Sequence, residues 1–234
     1  MKTKDMIKAT IAMLLLCSLS SLAESSDYIR SRAQRDAMSP TEILNSIKAG
    51  NHRFVEGDLK PRNFRQEQMA TKGGQHPGAV VLSCIDSRAP AEIIFDKGIG
   101  EIFNARVAGN VANPDIVGSI EFSCGVAGAK VVLVVGHTRC GAVNSAIDNI
   151  QGNNLTILLD RIHPAVEAAK ADIEGPYSSS NEEYAHEVTR QNVLLTVQKI
   201  RRISPMLQDL EKKGEIIFQG ALYDVSTGTV EFID

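Results

Sequence analysis

Two short segments hold the side chains best suited to chemistry: "CIDSR", residues 84–88, and "GHTRC", residues 136–140. Between them they offer Cys84, Asp86, Arg88, His137 and Cys140. Two thiolates and an imidazole make a tetrahedral zinc set, and three protein donors leave a fourth position for water, as a catalytic site requires. Two other readings stand beside it: a thiol–disulfide pair, or packing at the ends of two strands. A lone H-x-x-C is weak, but no C-x-x-C pair exists to serve a redox centre or complete a structural zinc site. Asp86 and Arg88, at i and i+2, would be costly to bury apart. Together, a bidentate Arg88 can hold the carboxylate away from a metal, although Asp86 could itself fill the fourth position in a resting form. The spacing favours zinc.

These groups matter only if the fold brings them together. "AVVLS" before Cys84 and "KVVLVVG" before His137 are continuous apolar runs, as expected of strands buried on both faces. If the two strands are neighbours in a parallel sheet, Cys84, His137 and Cys140 meet beyond their carboxyl ends. Cys140 would then open a helix, whose positive end favours a thiolate. "EIFNARVAG" reads as another strand, and "NPDIVGSIEFSCGVAG" as a helix with Cys124 midway along it as a small buried hydrophobe. "AVNSAIDNI", "NLTILLDRIHPAVEAAKADI" and "NEEYAHEVTRQNVLLTVQKIRRI" read as further helices, and "GEIIFQGALYDVSTGTVEFI" closes with two strands around a Ser-Thr-Gly turn. The alternation predicts an α/β fold with a mainly parallel central sheet flanked by helices and an antiparallel C-terminal edge strand. Before it, "SPTEILNSIKAGNHRF" offers Ser39, Pro40 and Glu42 as a capping box on an N-terminal helical arm. There is no repeat and no second core, so residues 39–234 read as one domain.

The leading segment, residues 1–23, carries Lys2, Lys4 and Lys8, a short apolar run from Ile11 to Leu16, and Ser21-Leu22-Ala23. That is the pattern of a secretory signal cut after Ala23, too short in its apolar part to span a bilayer, which takes about 20 residues. Residues 24–38 form a polar arm. The expected compartment is the periplasm, with no stable membrane insertion after cleavage. Removing three lysines and Asp5 takes the formal charge from −3 to −5, so no basic footprint points to nucleic acid. Export favours disulfides, yet only Cys84, Cys124 and Cys140 remain after Cys17 is lost. An odd count argues against a disulfide framework.

Taken together, "CIDSR" and "GHTRCGAV" resemble the signature of the β-class carbonic anhydrases, plant-like subtype. "IIFDKGIGEIFNARVAGN" and "GSIEFSCGVAGAKVVLVVGHTRCGAV" extend the similarity, which covers residues 39–234. The resemblance implies one zinc ion per subunit on Cys84, His137 and Cys140, with Asp86 and Arg88 as a catalytic dyad. It also implies substrate contacts from Gln75, Phe103, Ala108 (smaller than the usual Val) and the Gly141 amide. The bicarbonate-regulated subtype carries Trp three residues before the first cysteine; here that position is Val81. The implied reaction is reversible hydration of carbon dioxide to bicarbonate, in a homodimer or larger homo-oligomer, with His52, His76, His163 and His186 as candidates to pass the proton outward. Hydrolysis of carbon disulfide or a related heterocumulene on the same fold, or zinc binding without turnover, are the alternatives. The H-x-E and P-C-x-x-C pattern of a cytidine-type deaminase is absent.

Overall fold

The structure, a computed structural model, describes residues 31–233. The signal segment with Cys17, and residues 24–30 of the arm, lie outside the described residues. The apolar runs pair as one five-stranded sheet: β1 (Ala79–Ser83), β2 (Ile102–Arg106), β3 (Val131–His137), β4 (Ile217–Tyr223) and β5 (Val230–Ile233), in the order β2-β1-β3-β4-β5. The first four strands are mutually parallel and β5 returns antiparallel to β4, as expected. Every residue of β1 and β3 is buried, because helices cover both faces.

Ahead of the sheet come α1 (Arg32–Ala37), α2 (Pro40–Glu56) and α3 (Phe64–Thr71), and after β1 the short α4 (Ala91–Ile94). α5 (Pro114–Glu121) follows β2, and α6 (Gly141–Ile147) follows β3. α7 (Asn153–Leu159), α8 (His163–Ala169), α9 (Glu182–Ile203) and α10 (Pro205–Lys212) lead to β4. Alternate strand residues point to opposite faces. Val80, Leu82, Val132 and Val134 therefore pack with Val193, Val197 and Ile200 of α9. Val81, Leu133 and Ala221 pack with Ile43 and Ile47 of α2. The Ser39–Glu42 capping box forms as the sequence indicates.

Five elements differ from the sequence expectation, the first being α3, which forms within the Gly- and Pro-rich stretch 56–78 that reads as irregular. The helix expected over 113–128 is α-helical only to Glu121 and continues as a single π turn, Phe122–Val126, after which Gly128 turns the backbone with φ of 81°. The long helix expected over 154–173 is two, α7 and α8, because Pro164 in the first turn of α8 has no N–H to continue a helix from α7. The strand expected over 101–109 ends at Arg106, where Gly109 (φ 67°) and Asn110 (φ 45°) turn the backbone left-handed. The arm is helical in its described part, with Arg35 buried and donating to the Ala127 carbonyl.

One contact braces the segment that follows β1. Gly50 of α2 lies against the carbonyl of Phe95, so a Cβ there would overlap backbone that has no room to retreat. The neighbouring Asn51 bonds Ile94 O, Gly228 O and Val230 N, tying α2 to α4 and to the last hairpin. Gly50→Ala should lower stability by about 3 kcal/mol, the upper range for overpacking. Urea unfolding of variant and parent checks this, and an unchanged midpoint would show that α2 does not sit so closely.

Candidate metal centre

The parallel register sets Leu82 beside Val134, so Cys84, just past β1, comes level with Gly136 near the end of β3. Cys84 leaves the first strand, and His137 closes the second. Cys140 comes back to them through a tight turn in which Arg139 adopts φ of 57°. Thr138 holds that turn to the next strand, donating N–H to Tyr223 O and accepting from Val225 N at Oγ1. The outcome is a cluster of Cys84, His137 and Cys140 whose ligand atoms lie within 4.8 Å of one another. All three are buried.

The donors fit a zinc ion. Two thiolates at about 2.3 Å from a tetrahedral ion stand about 3.8 Å apart, and the two Sγ atoms here are 3.9 Å apart, far beyond a disulfide bond. His137 Nδ1 faces Thr138 O at 3.0 Å, which places the proton there and leaves the Nε2 lone pair for a metal. Nε2 is buried and has no hydrogen-bond partner among the described residues.

The two thiols differ in charge. Cys84 is lowered to about 4, chiefly by the hydrogen bond from Cys140, then by His137 and by the N–H groups of Gly109 and Asp86, all against the opposing effect of burial. Cys140 is pushed up by the adjacent Cys84 and by burial, despite the N–H groups of Val143 and Ala142 at the start of α6. Cys140 does open α6, as expected, and the N–H groups there act to favour its thiolate. Two sulfurs this close do not both ionise without a cation, and Cys84 has the better donors.

Asp86 and Arg88 form a bidentate pair beside the cluster. Asp86 Oδ1 accepts from Arg88 N and Nε, both at 2.9 Å, and Oδ2 accepts from Nη2 at 2.7 Å. That hydrogen bonding holds the Asp86 carboxyl far below the usual carboxylate range. Oδ2 stands 3.9 Å from His137 Nε2, close enough to share the site but turned toward the guanidinium. Arg88 also reaches Arg139 O, linking the two segments.

Further residues were not assigned roles from sequence. Arg106, at the end of β2, donates Nε to Cys84 O at 2.8 Å and Nη2 to Asp86 O, clamping the backbone between them. Gly109 N–H points at Cys84 Sγ, 3.4 Å away, and Asn192 of α9 donates to Gly109 O at 2.8 Å. The "NARVAGN" segment carried the signal for the first two, but no spacing rule links Asn192 to it.

The four residues expected at the substrate pocket divide into two pairs. Ala108 adjoins Gly109, and Gly141 opens α6 directly after Cys140, with open space where a Cβ would stand. Gln75 and Phe103 lie toward the other end of the sheet. Phe103 pairs in register with Val80, four residues before Cys84, or about 13 Å along the strand. Gln75 is three residues before Gly78, which is anchored at the amino edge by Glu101 O and Lys130 N. A reach of about 10 Å back from Gly78, against about 20 Å forward to Cys84, keeps its amide off its own cluster. Among the described contacts, none joins His52, His76, His163 or His186 to the cluster.

A family described as carbonic anhydrase matches residues 79–230. Carbonic anhydrase 2 of Mycobacterium tuberculosis is 31% identical over 195 residues, covering 81% of this chain and 90% of that protein. Among solved structures, the β-carbonic anhydrase CcaA superposes with a TM-score of 0.65 at 22% identity, over 82% of this chain and 87% of that one. A tetrameric β-carbonic anhydrase from Sordaria macrospora gives 0.63 at 21% identity, over 81% and 94%. The chain belongs to the carbonic anhydrase family and has the fold of its β class.

Proposed function

We propose that this chain is a zinc enzyme that reversibly hydrates carbon dioxide to bicarbonate. The observation that carries the reading is the buried Cys84–His137–Cys140 cluster with an ionised Asp86 held beside it by Arg88. Cys84, His137 and Cys140 would hold the metal, and zinc bound there supplies acidification of water near neutral pH. Asp86 accepts the hydrogen of the attacking water oxygen and so aims its lone pair at the carbon. Arg88 occupies both carboxylate oxygens of Asp86, keeping it charged and out of the ligand set. The Gly141 N–H, at the amino end of α6 and next to Cys140, suits a developing carboxylate oxygen. Ala108 and the apolar surroundings keep bulk water away from a nonpolar gas.

Gln75 and Phe103 enter this reading through a second copy. The positions of both in their own chain favour service at a partner's site, and β2 is an edge strand open to one. Beside it lies a cleft of about 730 Å³ faced by Phe103, Ile116 and the exposed Phe122. The enzyme thus works as a homo-oligomer. Residues 1–23 direct it to the periplasm, a reading supported by the Lys2, Lys4 and Lys8 cluster before the apolar run.

Cys84→Ala should lose both bound zinc and carbon dioxide hydration. Asp86→Asn should keep most of the zinc while kcat/KM falls at least about a hundredfold. Metal analysis and stopped-flow hydration on the same samples read both, and full activity in Asp86→Asn would sink the assignment. Subunit sharing has its own test. Gln75→Ala and Asp86→Asn chains, each weak alone, should recover roughly a quarter of parental activity when mixed equally, since half of the dimers are mixed and one site in each is whole. Activity no greater than the mean of the two variants would place Gln75 outside the partner's site.

A further inference from the structure

Away from the metal cluster, a cleft of about 650 Å³ opens between the α7–α8 turn and α9. Arg161 comes to it from the turn, and Lys199 and Arg202, three residues apart on α9, from the opposite wall. None of the three side chains has an ion pair or hydrogen bond among the described residues. This is unusual company in a chain whose formal charge is −3. Asp160 at the rim is the one carboxylate in the lining, which leaves the cleft with an excess of two positive charges. The helix C-terminus accounts for one basic residue, Arg202, but not for Arg161 arriving from another element to face it.

We propose that this cleft binds a small multivalent oxyanion of the organic-phosphate class. The size is that of a small-molecule site, and two guanidinium forks match phosphate oxygens in a way that Lys alone does not. The excess of two charges calls for a dianion or more rather than a monoanion such as bicarbonate. Ile157 and Leu195 add apolar wall to the same cleft, which suits an organic body carrying the phosphate. Repulsion supports the argument from geometry: Lys199 is lowered from its ordinary range by burial and by Arg161 and Arg202. Three cations brought together at a cost, with no carboxylate paired to them, are satisfied by a ligand.

The floor of the cleft leads to the metal cluster. Asn192 lines it and donates to Gly109 O, and Gly109 N–H donates in turn to Cys84 Sγ. Occupancy that shifts Asn192 therefore alters a hydrogen bond to a proposed zinc ligand, giving the anion a route to the rate.

Isothermal titration of the zinc-loaded protein with inorganic pyrophosphate tests the site. Saturable one-to-one binding is expected, weakened at least about tenfold in an Arg161→Gln, Lys199→Gln, Arg202→Gln triple variant and strengthened in Asp160→Asn. All four positions are exposed or half-exposed, so these variants should fold, and unchanged circular dichroism checks that. Pyrophosphate can also seek zinc, so the same titration is run on Cys84→Ala. Binding lost there but kept in the triple variant would locate the anion at the metal and overturn the proposal, as would no saturable binding to the parent. Binding lost in the triple variant and kept in Cys84→Ala supports it whether or not the protein hydrates carbon dioxide.

Discussion

The parallel pairing of β1 with β3 is the constraint on which the site depends. It aligns Ala79 with Val131 and Leu82 with Val134, so that two loops leave the sheet side by side and deliver their sulfurs and imidazole to one point. Both strands are buried on both faces, so a slip of one residue would exchange every packed side chain between the two cores. The hydrophobic effect thereby fixes a distance between polar atoms that never touch it. That is why a cluster spread over 57 positions of sequence, from Cys84 to Cys140, closes to a few ångströms.

Around that point the backbone supplies what side chains cannot. Gly109 offers its N–H to Cys84, and the left-handed turn at Gly109 and Asn110 is what aims it. Arg106 holds the carbonyls of Cys84 and Asp86 from below while Arg88 holds the Asp86 carboxylate from the side. Two guanidinium groups thus flank a region that carries a thiolate and a carboxylate. Placing those anions near a buried strand end without such partners would cost several kcal/mol. The same arrangement keeps Asp86 ionised and oriented before any substrate arrives, which is preorganisation in the sense that matters for rate.

The strands, their mainly parallel order and the meeting of Cys84, His137 and Cys140 were legible because each rests on a strong local signal: continuous apolar runs, or rare side chains at strand ends. Helix interruptions were less legible. Pro164 was visible, but its effect in splitting 154–173 competes with a continuous apolar periodicity that favours one helix. The π turn at Phe122–Val126 has no pattern of its own, and it leaves Phe122 and Val126 exposed where a regular helix would have suggested burial. Asn192 could not be found, since its partner is a backbone carbonyl 83 residues away. The places of Gln75 and Phe103 follow from strand direction, which sequence proximity to Cys84 conceals.

The cysteines show how far residue type falls short of chemistry. Burial acts on Cys84, Cys124 and Cys140 in the same direction, disfavouring the thiolate. At Cys124 nothing opposes it, and the thiol is pushed up to about 12, protonated and inert. At Cys84 hydrogen bonds from the Cys140 thiol and from the N–H groups of Gly109 and Asp86, with the His137 ring beside them, outweigh it and the group falls to about 4. Cys140 lends one of those donors and so keeps its own proton until a cation replaces it. A divalent ion held by the cluster would resolve that contest by taking both sulfurs at once and displacing the proton of Cys140.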